Sequence, residues 1–120
     1  MDFDMDKILS IEELQNNTED YLGKQIVIEA FMSSNFEEAF LSISSENSMG
    51  LKIFLDEGIT NRLMKYIPAW GGGKYVYYDD VEIAGTLVRE KQKVFLVGIS
   101  YVKTKRKNQT YLAILQENTL

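Results

Sequence analysis

At 120 residues the chain is long enough to bury a core without cross-links, and its 45% apolar content is that of an ordinary globular domain. It has no cysteine and no histidine, which excludes disulfides and thiolate chemistry and removes the most usual general base and zinc ligand. The net charge of −5 is uneven: residues 1–60 carry 3 basic and 13 acidic side chains, residues 61–120 carry 10 basic and 5 acidic. Such asymmetry points to a charged partner, unless strands from the two halves interleave and mix the charges.

Residues 1–9 contain three aspartates and no basic leader, and the longest apolar run, Val94–Ile99, is too short to span a bilayer, so a soluble cytoplasmic protein is expected. Ser10 and Glu13 have the spacing of a capping box. A short helix is predicted from there to Asn16–Asn17, with Ile11 and Leu14 inward. Residues 1–20 thus form an N-terminal extension to a single domain. The first barrel strand is predicted over 24–32, where Ile26, Ile28, Ala30 and Met32 alternate inward. Val27 and Phe31 share its other face. The second strand is expected at 36–44 with Leu41 and Ile43 inward, a turn at 45–48, and the third strand at 50–55 with Leu51, Ile53 and Leu55 inward.

Asp56 is placed to cap a helix over 57–67, in which Ile59, Leu63 and Ile67 recur at helical spacing and which Pro68 stops. Residues 69–73, with Trp70 and three glycines, read as a loop. The fourth strand is predicted over 77–88, the fifth over 93–102, with a turn at 89–92. Lys103–Asn108 reads as a basic loop opening a C-terminal tail of residues 104–120, and Tyr111–Leu115 as a short closing strand or a helical turn. The expectation is therefore an all-β domain with helical additions: a five-stranded barrel with a capping helix between strands three and four.

Tyr21-Leu22-Gly23-Lys24-Gln25-Ile26-Val27-Ile28 resembles the entry to the first strand of anticodon-binding-type OB domains, and Asp80-Val81-Glu82-Ile83-Ala84-Gly85-Thr86-Leu87 resembles their fourth strand. The resemblance covers residues 20–103. It implies an OB-fold, a five-stranded barrel that binds oligonucleotides, oligosaccharides or proteins. The family often carries a mid-strand glycine in both places; here the first strand has Ala30.

If Leu41 pairs with Ile53, then Phe40 stands opposite Phe54 on the outer face, with Ser42 opposite Lys52. Such rings beside a lysine are a surface for stacking bases, or ordinary sheet contacts covered by the chain termini. Trp70, Tyr75, Tyr77 and Tyr78 enrich the glycine loop in recognition-type side chains, although Trp70 packed on the capping helix explains it as well. Gly71-Gly72-Gly73-Lys74 lacks the Walker spacing. Arg89, Lys91 and Lys93, with Lys103, Lys105, Arg106 and Lys107, are candidates for phosphate contacts or simply solvated. Strand five separates the two groups unless it curls. The acidic pairs Asp79-Asp80 and Asp56-Glu57 read as turn and cap residues, too few for a metal site.

Two readings follow, neither enzymatic and neither with a cofactor or metal. The leading one is an acidic immunity-type inhibitor that neutralises a basic protein toxin through Glu37, Glu38, Lys52, Phe40, Phe54 and Trp70. In that reading Glu46 and Asp56 add to the acidic rim. The other is a single-stranded nucleic-acid binder using Phe40 and Phe54 with Arg89, Lys91, Lys93, Lys105, Arg106 and Lys107. A sugar-binding or other small-molecule OB module is a weaker third.

Overall fold

The computed structural model describes residues 7–45, 50–56 and 58–115. Ten elements follow in order: β1 (Ile8–Ser10), α1 (Ile11–Asn16), α2 (Thr18–Tyr21), β2 (Gln25–Ser34), β3 (Ala39–Ser42), β4 (Ile53–Phe54), α3 (Ile59–Leu63), β5 (Tyr77–Glu90), β6 (Lys93–Arg106) and β7 (Gln109–Ile114).

Five strands close on themselves. β2 pairs antiparallel with β3, β3 with β4, β6 with β5, and β5 returns to β2, while β4 and β6 run parallel at Ile53↔Val94 and Phe54↔Phe95. The result is a closed five-stranded barrel with α3 between its third and fourth strands, an order compatible with an OB-like barrel. β5 is paired on both edges. β2 and β6 each change partner part-way: β2 takes β1 at Val27–Glu29 and β3 at Phe31–Ser34, and β6 takes β4 at Val94–Phe95 and β7 at Tyr101–Arg106.

The expected inward alternation fills the barrel. Ile26, Ile28 and Met32 of β2, Leu41, Ile53, and Val81, Ile83 and Leu87 of β5 are buried, and Ile11, Leu14, Ile59, Leu63 and Ile67 join the same core. Each fully buried Leu or Ile contributes about 1.5–3 kcal/mol. Five residues of α3 are too few to hold a helix alone; the burial of Ile59 and Leu63 holds it.

Gly85 of β5 shows why a strand interior here takes glycine. The register between β5 and β6 shifts between Ala84 and Thr86, where Gly98 sits at φ +58°. The bulge brings the Val97 carbonyl so close that a Cβ on Gly85 would lie 2.8 Å from it.

The capping box forms as expected: Glu13 N–H donates to Ser10 Oγ at 3.1 Å and Ser10 N–H to Glu13 Oε1 at 2.9 Å. Other expectations are corrected. The β3–β4 ladder covers only Phe40↔Phe54 and Leu41↔Ile53, so Ser42 and Lys52 are not a ladder pair, and Ile43 lies exposed beyond the strand end. Residues 46–48 of the expected turn, and with them Glu46, lie outside the described residues, as does Glu57. α3 is shorter than 57–67; a turn follows it in which Tyr66 and Ile67 N–H both donate to the Leu63 carbonyl, and this carries Ile67 to the core. Asp56 meets the helix through its backbone, its carbonyl accepting from Ile59 N–H at 2.9 Å. Gly58 is the N-cap, with no side-chain cap bond. Lys103–Arg106 is strand, because Val102 and Thr104 alternate inward between the charges, and Gln109–Ile114 is the closing strand. β1 and α2 have no counterpart in the sequence reading. Among the described residues no helix is long and apolar enough to cross a membrane.

Candidate functional site

The barrel puts most of its outward aromatic side chains on one surface. The sheet alternation that turns Leu41 and Ile53 inward turns Phe40 and Phe54 outward, directly opposite one another, with ring centroids 6.5 Å apart. The parallel pairing of β4 with β6 adds Phe95, 5.8 Å from Phe54. On the other side Tyr75 meets Phe40 edge-on at 6.2 Å and stacks on Tyr78 at 5.6 Å with ring planes 3° apart. Phe31 of β2 closes the series, edge-on to Tyr78 at 4.7 Å. Six rings thus form a continuous row, Phe31–Tyr78–Tyr75–Phe40–Phe54–Phe95, drawn from all five strands of the closed barrel and one loop. All six are half-buried or exposed.

Three lysines lie on the row. Lys52 Nζ stands 4.6 Å from the Phe40 centroid, Lys93 Nζ 5.1 Å from that of Phe54 and Lys74 Nζ 5.3 Å from that of Tyr75. Each contact is worth about 0.5–1 kcal/mol at an exposed site. Among the described residues no carboxylate forms an ion pair with these lysines. The row therefore offers π-faces with three ammonium groups beside them.

The remaining basic candidates are differently placed. Arg106 is drawn inward, its Nε and Nη2 donating to the two oxygens of buried Asp79 at 2.9 and 3.1 Å. Its guanidinium lies 4.2 Å from the Trp70 ring centre and 5.5 Å from that of Tyr111, and the Trp70 indole N–H donates to Asp79 at 3.0 Å. Asp79 is thus the centre of a buried ion pair and not a turn residue, and Trp70, half-exposed, is held by that pair. Arg89 pairs with Glu19, and Lys105 donates to Glu29 at 2.7 Å; this bond, foremost, raises the Lys105 pKa. Lys91 and Lys107 are exposed in the turns at the two ends of β6, so the two basic groups do not meet. Glu37 and Glu38 are exposed on the β2–β3 loop, their backbone N–H groups donating to Asn35 Oδ1.

Outside the row, Glu82 is nearly buried. It accepts from the Tyr101 hydroxyl at 2.8 Å and has Lys103 at 3.9 Å. Burial, then this bond, pushes the Tyr101 pKa up to about 12. Burial likewise raises Tyr77, whose hydroxyl donates to the Ile67 carbonyl at 2.6 Å.

No protein-family model matches this chain, and no curated protein is significantly similar to it. The sequence had paired Phe40 with Phe54 and flagged Lys52 and Lys93. It missed Phe31, Phe95 and the part of Tyr75 and Tyr78 in the row. Phe95 was open to discovery, since the parallel closure of an OB-type barrel sets the fifth strand beside the third. Phe31 and Tyr78 become neighbours only through the β2–β5 register.

Proposed function

We propose that this chain is a non-enzymatic OB-fold protein, akin to anticodon-binding-type domains, that binds single-stranded nucleic acid on the row of six rings. The observation that carries the reading is the row itself with Lys52, Lys74 and Lys93 on its rings. Bases have π-faces that stack on such rings whatever their sequence, at about 1–3 kcal/mol per base, and lysines beside them meet the phosphates. Three of the six rings, Phe40, Phe54 and Phe95, lie on the second, third and fifth barrel strands, and the second and third form the surface on which OB-folds take oligonucleotides. Part of the acidic net charge is neutralised away from the row, where Glu19, Glu29, Asp79 and Glu82 form ion pairs. Fluorescence anisotropy of a 3′-labelled oligothymidylate or oligouridylate at low salt tests the reading. Saturable binding that weakens steeply with salt supports it, and no binding to either overturns it.

A second reading has its own support. Glu12, Asp20, Glu37, Glu38 and Asp56 are exposed and make no ion pair among the described residues. An acidic immunity-type inhibitor that blocks a basic toxin would use such carboxylates to speed association. Its signature is a co-purifying basic protein whose association slows, and loses salt dependence, when Glu37 and Glu38 are replaced by lysine.

A further inference from the structure

At the Tyr78–Tyr75 end of the row the surface deepens into a pocket of about 380 Å³ lined by Trp70, Gly72, Gly73, Lys74, Tyr75 and Tyr78. That volume is at the lower end of the range for small-molecule sites, about 300–1,000 Å³. The walls are aromatic, and among the described residues the only charge on them is the Lys74 ammonium.

The pocket is built by a strap fixed at both ends. Trp70 N–H donates to the Val76 carbonyl at 2.9 Å, and Val76 N–H donates to the Ser34 carbonyl at 2.8 Å. Between these bonds Gly72 and Gly73 take φ of +76° and +86°, and a Cβ on either would meet nothing within 4 Å. The glycines therefore serve the bend of the strap, and they leave room above it. Trp70 cannot swing away to close that room, because its indole N–H is held by Asp79 and Arg106 lies against its ring. Tyr78 is steadied from the other side, its hydroxyl donating to the Ser45 carbonyl at 3.0 Å. Two rings are thus anchored around an open, mainly apolar space with one cation.

We infer that this pocket receives one nucleobase at the end of a bound single strand, unstacked from its neighbours, with the adjoining phosphate against Lys74. The inference rests on the nucleic-acid reading above and gives that site an end and a direction. Tyr75 and Tyr78 belong to both row and pocket, so a strand stacked along the row passes into the pocket without leaving ring surface. The flat π-face of a base matches the ring walls, and its phosphate matches the single cation.

The chain has one tryptophan, Trp70, so its emission reports on the pocket while anisotropy reports on the whole site. The experiment titrates the full chain with a 3′-labelled six-nucleotide oligothymidylate for anisotropy and the unlabelled strand for emission. The expected result is quenching of Trp70 with the same midpoint as the anisotropy change. An oligonucleotide made abasic at one end, each end in turn, identifies the base involved. Abasic substitution at one of the two ends restores the emission and weakens binding about 5- to 160-fold, the range of one stacked base. Lys74→Gln lowers the logarithmic salt slope by about 0.7, the share of one phosphate on a single strand. Anisotropy that saturates with Trp70 emission unchanged, or quenching that survives both abasic ends, overturns the pocket and leaves the row standing. An unchanged salt slope in Lys74→Gln overturns the phosphate contact. No anisotropy change at all overturns the row as well.

Discussion

Cations on the two sides of this barrel are treated in opposite ways. Along the far half of β6, Lys103, Lys105 and Arg106 each have a carboxylate, from Glu82, Glu29 and Asp79, and Arg89 has Glu19. Across β3, β4 and the start of β6, Lys52 and Lys93 lie on phenylalanine rings, and Lys74 on a tyrosine. Two of the four carboxylates on the paired side, Glu19 and Glu29, come from the acidic half of the sequence. The charge asymmetry of the chain is thus offset in part where the two halves meet, at Glu19–Arg89 and Glu29–Lys105. A run of basic residues in the sequence is therefore a poor guide to which cations stay clear of carboxylates in the fold.

The largest expected effect breaks the paired side. Asp79 and Arg106 form a buried ion pair with side-chain exposures of 3% and 13%. Asp79→Ala leaves the guanidinium buried without its counter-charge and is expected to cost about 3–5 kcal/mol. Urea denaturation reads this as a lower midpoint at unchanged slope. A loss below 1 kcal/mol would mean that Arg106 finds water as readily as the exposed lysines do.

The open side is broken by removing rings. Phe54 touches both Phe40 and Phe95, so Phe54→Ala interrupts the row at an interior position. It is expected to weaken single-strand binding by about 1–3 kcal/mol, and Phe40→Ala by a similar amount. Anisotropy titrations of folded variants measure this; affinities equal to wild type in both would remove the row from the binding site.

A third pair of variants sharpens the contrast itself. Lys52→Gln with Lys93→Gln is expected to lower the logarithmic salt slope of binding by about 1.4, near 0.7 for each phosphate contact. Lys103→Gln with Lys105→Gln is expected to leave the slope as it is, because those ammonium groups already face carboxylates. Equal changes in both pairs would show that ion pairing does not decide which lysines meet a strand.

How much of this was legible from the sequence differs by region, for physical reasons. The period-two alternation of Ile26–Met32 and Val81–Leu87 marked the barrel strands, and Ser10 with Glu13 marked α1, because those signals are local. The Phe40–Phe54 pair followed from one hairpin register. The buried ion pair did not follow, since Asp79 and Arg106 are 27 residues apart and meet only once β5 and β6 are registered. Lys103–Arg106 looked like a solvated loop because charge obscured the inward Val102 and Thr104. β1 was hidden because three residues are too few to show a period, and α2 because one turn of polar residues carries no apolar stripe.

The smallest effect concerns alkaline pH and belongs to the paired side alone. The Tyr101 pKa is raised to about 12 by burial and by the bond to Glu82. The fold therefore holds this proton more tightly than the unfolded chain, whose tyrosines titrate near 10. Below pH 10 both states are protonated and the contribution is fully present. Between pH 10 and about 12 the unfolded chain gives up the proton first, so stability falls as pH rises. Lys105, its pKa raised chiefly by the bond to Glu29, acts in the same direction: the fold favours its charged form, and that advantage fades as it loses its proton. Tyr77, raised by burial, adds to the decline. Denaturant midpoints measured from pH 9 to 12 are thus expected to fall, and to fall less steeply in Tyr101→Phe, which has no proton to release. An identical decline in wild type and Tyr101→Phe would mean that the Glu82–Tyr101 bond does not hold that proton, and that Lys105 and Tyr77 alone carry the alkaline loss.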